Sequence, residues 1–320
     1  MRLASISIDL DEISCYTAIH GLAPAESGVR HAVYRKAVPR IEEWLDGLGV
    51  RATFFAIGAH LADEGSASTI ARLHRCGHEI GNHSFQHRYD FTRQDDVALR
   101  GDIIDGGAAI KAVTGTAPVG FRAPGYTIVD GVFAALQSLD YLYDSSVFPC
   151  PAYYAAKALA IGAIAVRGRR SHSIMDDPRV LSAPADPYRV GHPYHRRGSG
   201  LVELPIGVTR NATGRLPYIG TSLVLAGKRG AAGLSRCAVG RPLVNLELHG
   251  IDFCDADADG LQFLARHQPD LRRSAAEKRE TLGAAVAVLQ QADYEFATLA
   301  QAAERFAPIL QDSPALDPVP

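Results

Sequence analysis

Two carboxylates, Asp9 and Asp11, lie two residues apart at the end of the apolar-alternating stretch SISIDLDEI. Residues two apart in a β-strand point to the same face, so we expect both carboxylates on one face of this strand. Two like charges about 7 Å apart on a mostly buried strand require a compensating cation. In one interpretation, one Asp binds a metal ion and the other is the general base for a metal-activated water. In the other, the pair is a solvated strand end.

Two histidines, His83 and His87, are four residues apart in GHEIGNHSFQH and follow a predicted strand end. This spacing brings both imidazoles to one ion when the segment is helical or tightly turned. His74 and His78 have the same spacing, but no carboxylate is placed to join them. Two histidines and one carboxylate are a common ligand set for Zn and other divalent transition metals. The sequence therefore favours a metal site at the first pair.

Two further motifs contain candidate catalytic residues. Arg122, in GFRAPGY, would hold one carboxylate ionised if it were buried near the Asp pair, and would otherwise lie in a surface turn. His249 ends the apolar stretch LELH, so it is either a core histidine or a candidate general acid.

The loop DADADG at residues 255–260 begins like a calcium loop, but Arg266 stands where a bidentate Glu is required. We therefore expect a solvated loop there.

These residues must be positioned by an alternation of strands and helices. Strands are predicted at 3–10, 50–58, 78–83, 118–124, 141–146, 200–209, 242–250 and 294–297, and helices at 37–49, 67–77, 93–115, 130–139 and 274–290. Such alternation is typical of parallel βαβ units and fits an incomplete (β/α) barrel of the TIM type. The residues Asp9, His83, Arg122, Asp144 and His249 all fall at predicted strand ends, where such barrels carry their chemistry.

Composition limits the classes of protein. The 320 residues carry a net charge of −2 from 33 basic and 35 acidic side chains, which gives no reason to expect nucleic acid as a partner. No apolar run of about 18 residues and no secretory signal are visible, so we expect no transmembrane segment. The five cysteines form no close pair, which favours a reduced, cytoplasmic protein.

The domain organisation follows from where the alternation of predicted strands and helices is interrupted. We expect a single catalytic domain at residues 1–305, with an insertion at about 150–199 lying over the barrel mouth. The Pro-rich stretch 306–320 is predicted to be a flexible tail. The residues leave open whether the chain forms a homo-oligomer.

The motifs IDLDE, ATFFAIG, GHEIGNHSFQH, GFRAPGY, YDSS and LELH, in this order, resemble the polysaccharide deacetylases of carbohydrate esterase family 4, the NodB-homology family. The resemblance covers residues 4–149 well and is thinner through 200–209 and 242–250. The family's usual first motif has two adjacent Asp residues. Here Leu10 separates them, a variant of branches that include intracellular peptidoglycan-deacetylase-like proteins and lipid-linked aminoarabinose deformylases. The resemblance implies the NodB-homology fold, a distorted barrel of about seven parallel strands.

The resemblance also implies a role for each residue of the metal site. One divalent ion would be bound by Asp11, His83 and His87, with Zn expected first and Co, Ni, Mn or Fe as alternatives. Asp9 would be the general base, and Arg122 would orient it.

The remaining roles concern the other side of the site. His249 would be the general acid and Asp144 its tuning partner, although YDSSVFP departs from the family's usual fourth motif. The backbone N–H near Gly125 would stabilise the oxyanion, and Tyr126 beside it would contact substrate.

We therefore expect a metal-dependent hydrolase that removes an N-acetyl group from an amino sugar of a glycan or lipid-linked glycan precursor. A deformylase or other linear-amide hydrolase with the same site is the first alternative. A carbohydrate-binding protein without catalytic activity is the second.

Overall fold

The computed structural model describes residues 1–310. Within this range the strands are β1 Leu3–Asp9, β2 Thr53–Ala56, β3 Glu79–Asn82, β4 Gly120–Phe121, β5 Tyr143–Asp144, β6 Tyr188–Val190, β7 Arg197–Glu203, β8 Leu243–His249 and β9 Glu295–Phe296. The helices are α1 Ile13–Ile19, α2 Val38–Leu48, α3 Glu64–Arg75, α4 Asp96–Thr114, α5 Asp130–Ser138, α6 Pro151–Val166, α7 Gly220–Ala238, α8 Ala275–Gln291 and α9 Leu299–Ile309.

One curved sheet contains all the strands of the described residues, in the order β6-β7-β5-β4-β3-β2-β1-β8, with β9 also paired to the start of β1. The pairs are parallel except β6 with β7, which is antiparallel. Every residue of β1 is buried, as expected for an inner parallel strand with both faces covered. The sequence prediction of a distorted (β/α) barrel is confirmed, although one edge strand runs against the rest.

The sheet is strongly curled. Side chains from distant strands show this, since they meet across its interior. β1 and β4 are three steps apart in the strand order, which in a flat sheet is about 14 Å. Arg122, directly after β4, nevertheless donates to Asp9 of β1 at 2.7 Å. Asn245 of β8 likewise donates to Ser145, directly after β5, at 3.0 Å. The strand ends therefore converge on one central region.

An extended segment after β7 fills the space between the last strands of this half-barrel. Leu204 donates its backbone N–H to Asp144, and Gly207 donates to the carbonyl of Asn245 in β8. Ile219 then forms an isolated parallel bridge with Glu247. The barrel is thus closed by irregular chain at this point, where the sequence predicted a strand continuing to residue 209.

Helix ends follow local sequence signals. Asp63 and Asp95 cap α3 and α4 by accepting backbone N–H groups, and Ser274 with Glu277 forms a capping box at α8. α9 runs to Ile309 and buries Phe306, so the tail predicted from residue 306 begins inside a helix instead. The rest of that predicted tail, 311–320, lies outside the described residues. Among the residues described, no helix has the length and apolar character that crossing a bilayer requires.

The predicted insertion at 150–199 divides into two parts. α6 and the loop that follows it border a cavity at the carboxyl ends of the strands. Residues 188–190, in contrast, form β6, and β7 begins at Arg197, so this part belongs to the sheet edge. The expectation that the whole segment covers the barrel mouth is therefore wrong for its second half.

Candidate metal and hydrolytic site

Three predicted metal ligands meet at the end of β1. Asp11 Oδ1 lies 3.4 Å from His83 Nε2 and 3.3 Å from His87 Nε2. All three side chains are buried. Their ligand atoms lie within 4.8 Å of one another, close enough to share one ion.

The two histidines come together through a tight loop after β3. Ser84 and His87 both have positive φ angles, 62° and 52°, which turn the chain back on itself. The Ser84 hydroxyl accepts the backbone N–H of His87, and the Asp102 carboxylate accepts that of Gln86. Positive φ is uncommon for residues other than glycine, so this loop is held by its hydrogen bonds. Of the two geometries that the spacing allows, the structure has the turned one.

The orientation of the His83 ring is fixed by a hydrogen bond on the side away from the cluster. Its Nδ1 lies 2.7 Å from the carbonyl oxygen of Arg122. A carbonyl can only accept, so Nδ1 carries the proton and Nε2 presents its lone pair toward Asp11. This arrangement of a backbone carbonyl behind a histidine is common for metal-binding imidazoles.

Several polar atoms of this cluster are buried without a hydrogen-bond partner among the described residues. They are Asp9 Oδ2, Asp11 Oδ1, His87 Nδ1 and His87 Nε2. Leaving such atoms unpaired costs about 1–3 kcal/mol each. A bound cation would satisfy the oxygens and the Nε2 nitrogen, so the residues present fit a divalent metal.

The electrostatics of the cluster also favour a bound cation. Burial raises the pKa of Asp11, but His87 and His83 outweigh it and hold the pKa of this carboxyl far below its usual value. Burial lowers the pKa of His87 to about 4, so its imidazole is neutral at pH 7, as a metal ligand must be. Burial opposes a charge on His83, while Asp9 and Asp11 raise its pKa. The two carboxylates thus create a potential that favours a cation.

Asp9 is held by Arg122, as predicted. Arg122 is fully buried and donates through Nη1 to Asp9 Oδ1 at 2.7 Å, through Nη2 to Ser7 Oγ, and through Nε to the carbonyl of Ser145. Its guanidinium stacks over Phe55, with Cζ 4.3 Å from the ring centroid. One oxygen of Asp9 is therefore fixed, and the other, 3.7 Å from His83 Nε2, faces the cluster.

His249 lies beside Asp9, because β8 pairs with β1 in a register that places the two residues opposite each other. Its Nδ1 is 2.9 Å from Glu247 Oε1, and its Nε2 is 3.4 Å from the Tyr126 hydroxyl. Burial lowers the pKa of His249, but the charge of Glu247 more than compensates and raises it well above the usual value. The imidazole can therefore carry a proton at neutral pH.

The tuning partner predicted for His249 is wrong. Asp144 is fully buried and accepts both the hydroxyl and the backbone N–H of Ser146, and it lies against Glu203. The Asp144 carboxylate is thus engaged by Ser146, and the carboxylate that contacts His249 is that of Glu247. Glu247 occupies the expected position instead.

Gly125 and Tyr126 form a tight turn at the site. Both have φ near 60°, and the Tyr126 N–H donates to the carbonyl of Ala123 within the turn. The ammonium group of Lys157, on α6, donates to the carbonyl of Gly125 at 2.9 Å. Both turn residues border the cavity, and their roles in binding the oxyanion and the substrate stay predictions.

Sequence reasoning missed two residues of this site. Glu247 precedes His249 by two residues in LELH, so strand alternation alone places both on one face and could have identified it. Lys157 gave no such signal, because its role depends on how α6 packs against the Gly125 turn.

The cavity above these residues has a volume of about 450 Å³. Asp9, Asp11, His83 and His249 lie on its wall. α6 and the start of α7 form its sides, largely with apolar side chains. The reactive groups are thus accessible through a mouth that is mostly aliphatic.

Comparison with known proteins identifies relatives for part of the chain and for its fold. Residues 31–143 match the family model described as polysaccharide deacetylase. A peptidoglycan-N-acetylglucosamine deacetylase of Bacillus cereus is 32% identical over 103 residues, which are 32% of this chain. That match spans 46% of the length of the curated relative, which is less than half.

Solved structures share the fold. A Mycobacterium smegmatis protein, provisionally described as a polysaccharide deacetylase, superposes with a TM-score of 0.60 at 20% identity, covering 99% of this chain and 94% of that one. A mutant of a Bacillus anthracis carbohydrate esterase family 4 pseudoenzyme, described as having restored activity, gives a TM-score of 0.51 at 13% identity, covering 95% and 68%.

The curled barrel carries a buried carboxylate–histidine cluster at its strand ends. Residues 31–143 are similar to the polysaccharide deacetylase family, and the whole chain shares the fold of solved carbohydrate esterase family 4 structures.

Proposed function

We propose that this chain is a metal-dependent hydrolase that removes the N-acetyl group from an amino sugar of a glycan or lipid-linked glycan precursor. One observation carries the proposal. The candidate metal cluster Asp11, His83 and His87 adjoins a carboxylate and an imidazole, Asp9 and His249, which are neighbours on β1 and β8. We further propose that residues 1–305 act as one catalytic domain in the cytoplasm, where the five thiols, unpaired in the structure, would stay reduced.

The donor set suits a transition metal. One carboxylate and two imidazoles are typical of Zn sites and also bind Co, Ni, Mn or Fe. Asp11, His83 and His87 would hold a divalent ion, which would supply Lewis acidity to polarise the amide carbonyl and make a water molecule more acidic.

The chain's own residues supply the proton transfers. Arg122 binds one oxygen of Asp9 and leaves the second oxygen directed into the cavity, where it takes the proton of the attacking water. His249, protonated because of Glu247, gives a proton to the leaving amine nitrogen. The products are acetate and a free amino sugar. The Gly125 turn, held by Lys157, would stabilise the carbonyl oxygen as it develops charge.

The decisive experiment measures bound metal and released acid. We expect the purified protein to bind about one equivalent of Zn or Co per chain and to release acetate from N-acetylated amino sugars. Asp9→Asn should keep the metal and lose turnover. His87→Ala should lose the metal, while His74→Ala, a histidine of the other four-residue pair, should not. Absence of metal affinity in the wild-type protein would falsify the proposal.

The alternatives give different readouts from the same assay. Formate release without acetate release would identify a deformylase. Sugar binding without turnover would identify a binding protein, a possibility that the fold does not exclude because a pseudoenzyme shares it.

A further inference from the structure

Helix α6 is unusually apolar for a helix at the protein surface. Its sequence, PAYYAAKALAIGAIAV, has one charged residue, Lys157, in 16 positions. Ile164 is its one buried residue. Leu159 and Val166 are 75% and 90% exposed. A solvent-facing helix ordinarily has a polar outer face, so this composition needs a reason.

One face of α6 anchors it firmly. Lys157 donates to Gly125, and the Tyr154 hydroxyl donates to the carbonyl of Asp176. Tyr153 packs against Phe148, with ring centroids 4.7 Å apart. The helix is therefore held in place by its inner face, and its apolar outer face is not a consequence of poor packing.

The outer face forms a continuous apolar stripe. Ala155, Leu159, Gly162 and Val166 follow helical spacing and are all exposed. No charged side chain interrupts them. Within residues 1–310 no other element covers this stripe, which flanks the mouth of the cavity bordered by Ile161 and the other inner residues.

Basic residues stand next to the stripe. Arg167, Arg169 and Arg170 follow α6 directly, and none of them forms an ion pair with a carboxylate of the described residues. Across the cavity mouth, α7 repeats this pattern. Leu225 lines the cavity, is 51% exposed, and is followed by Arg229 and by Lys228, which pairs with Glu280 at 3.8 Å. An apolar face bordered by cations is typical of helices that lie in the interface of an anionic bilayer.

We propose that the outer face of α6 docks onto the surface of an anionic lipid bilayer. Leu159 and Val166 insert among the acyl chains, and Arg167, Arg169 and Arg170 contact the lipid phosphates. At 16 residues the helix is about 24 Å long, too short to span a bilayer, so it lies parallel to the surface. The cavity mouth then faces the membrane. This docking goes beyond the proposed hydrolysis and does not depend on it.

A second copy of the chain fits this face less well. In a two-fold contact with antiparallel helices, the arginines of one copy would meet the N-terminal end of the other α6, which is electropositive. The first turn of α6 contains no acidic residue to offset this repulsion. Parallel helices would bring the two arginine clusters together.

The test is flotation of the full chain with vesicles. One set is pure phosphatidylcholine, and in the other phosphatidylglycerol replaces about a third of it. We expect binding to the anionic vesicles, weakened by salt. Leu159→Glu with Val166→Glu should weaken binding at least about tenfold. Val97→Glu with Ile104→Glu, a pair of exposed apolar residues with the same spacing on α4, should bind like wild type.

A second variant protects the test against loss of folding in the first. Arg167→Gln with Arg170→Gln should reduce affinity by about thirtyfold, since each juxtamembrane cation contributes on the order of 1 kcal/mol, and should flatten the salt dependence. The proposal is overturned if wild-type protein does not float with anionic vesicles, or if both variants bind as wild type does. A wild-type dimer that L159E/V166E converts to monomer, without lipid binding, would instead identify a second copy as the partner. The readout is binding, so failure of the acetate assay would leave this result standing.

Discussion

The contact between Glu247 and His249 determines whether the imidazole carries a proton. Both side chains are largely withdrawn from water, and burial alone would keep His249 neutral. The carboxylate 2.9 Å from Nδ1 reverses this preference. A proton held on Nε2 then faces the cavity, where a leaving amine would need it.

Replacing Glu247 with Gln should move the alkaline side of the pH profile. The raised pKa of His249 means that its proton is retained below that pKa and lost above it. Removing the Glu247 charge lowers the pKa, so kcat/KM should begin to fall at a pH lower by about 1–2 units. The profile of kcat/KM against pH measures this shift. Glu43→Gln, an exposed partner of Arg279, is the control and should leave the profile unchanged.

Residue types and strand ends were sufficient to identify most of this site. Asp9, Asp11, His83, Arg122 and His249 could all be named because the carboxyl ends of parallel strands meet at one edge. Glu247 could have been added, because it precedes His249 by two residues on the same strand and shares its face. The proximity of His249 to Asp9 required strand order, since β8 lies next to β1 through tertiary packing that spacing does not reveal.

At the level of elements, the position of β3 depends on a glycine. A Cβ atom at Gly81 would lie 2.6 Å from the ring of Phe55, the ring that supports Arg122. β3 leads directly to His83, so a shift of this strand would also displace a candidate ligand.

Gly81→Ala should therefore destabilise the protein by about 1–3 kcal/mol through overpacking and weaken metal binding. Urea unfolding and metal titration measure the two effects. Gly101→Ala is the matched control, because a Cβ atom there meets nothing within 4 Å and the position is inside α4. It should stabilise the protein by about 0.5–1 kcal/mol. Equal effects of the two substitutions would contradict the steric argument.

The contact of α6 with the Gly125 turn gives another prediction. Lys157→Met keeps the length and apolar stem but removes the donor to the Gly125 carbonyl. A charged hydrogen bond contributes about 1.5–3 kcal/mol, so kcat/KM should fall roughly tenfold or more, with metal content unchanged. Lys111→Met, at an exposed position of α4, should have no effect. Loss of metal in Lys157→Met would mean that the lysine maintains the whole site rather than the turn.

Most elements could be predicted, and the exceptions have physical reasons. The apolar periodicity of α2, α3, α4 and α8 and the buried runs of β1 and β8 matched the structure. α7 was missed because three glycines interrupt it, and one of them, Gly227, has a φ of 67°. β6 is short and antiparallel, and pairing at a sheet edge leaves little trace in three residues.

Metal binding should raise the free energy of unfolding of the whole chain. Binding to the folded chain alone stabilises it by about 4 kcal/mol when free metal is a thousandfold above Kd. We expect added Zn to raise Tm by several degrees and His87→Ala to abolish the increase, whereas His74→Ala should preserve it. Calorimetry with and without chelator is the measurement. An equal rise in His87→Ala would locate the stabilising ion elsewhere.

At this scale the sequence predicted a barrel but not its manner of closure. The sequence predicted eight strands, and the sheet observed over the described residues is a curled half-barrel of nine strands with an antiparallel edge. Closure by the extended segment after β7 depends on backbone contacts with Asn245 and Glu247, which no periodicity encodes.

Arg122 gives this architecture a further property. It joins Ser7 and Asp9 near the start of the chain to Ser145 near its middle, across the inside of the sheet. Separating either group of strands would leave a buried guanidinium without its partners. A partly opened form of the molecule is therefore high in free energy. Heat or denaturant should therefore reduce the number of working molecules while the survivors keep full specific activity.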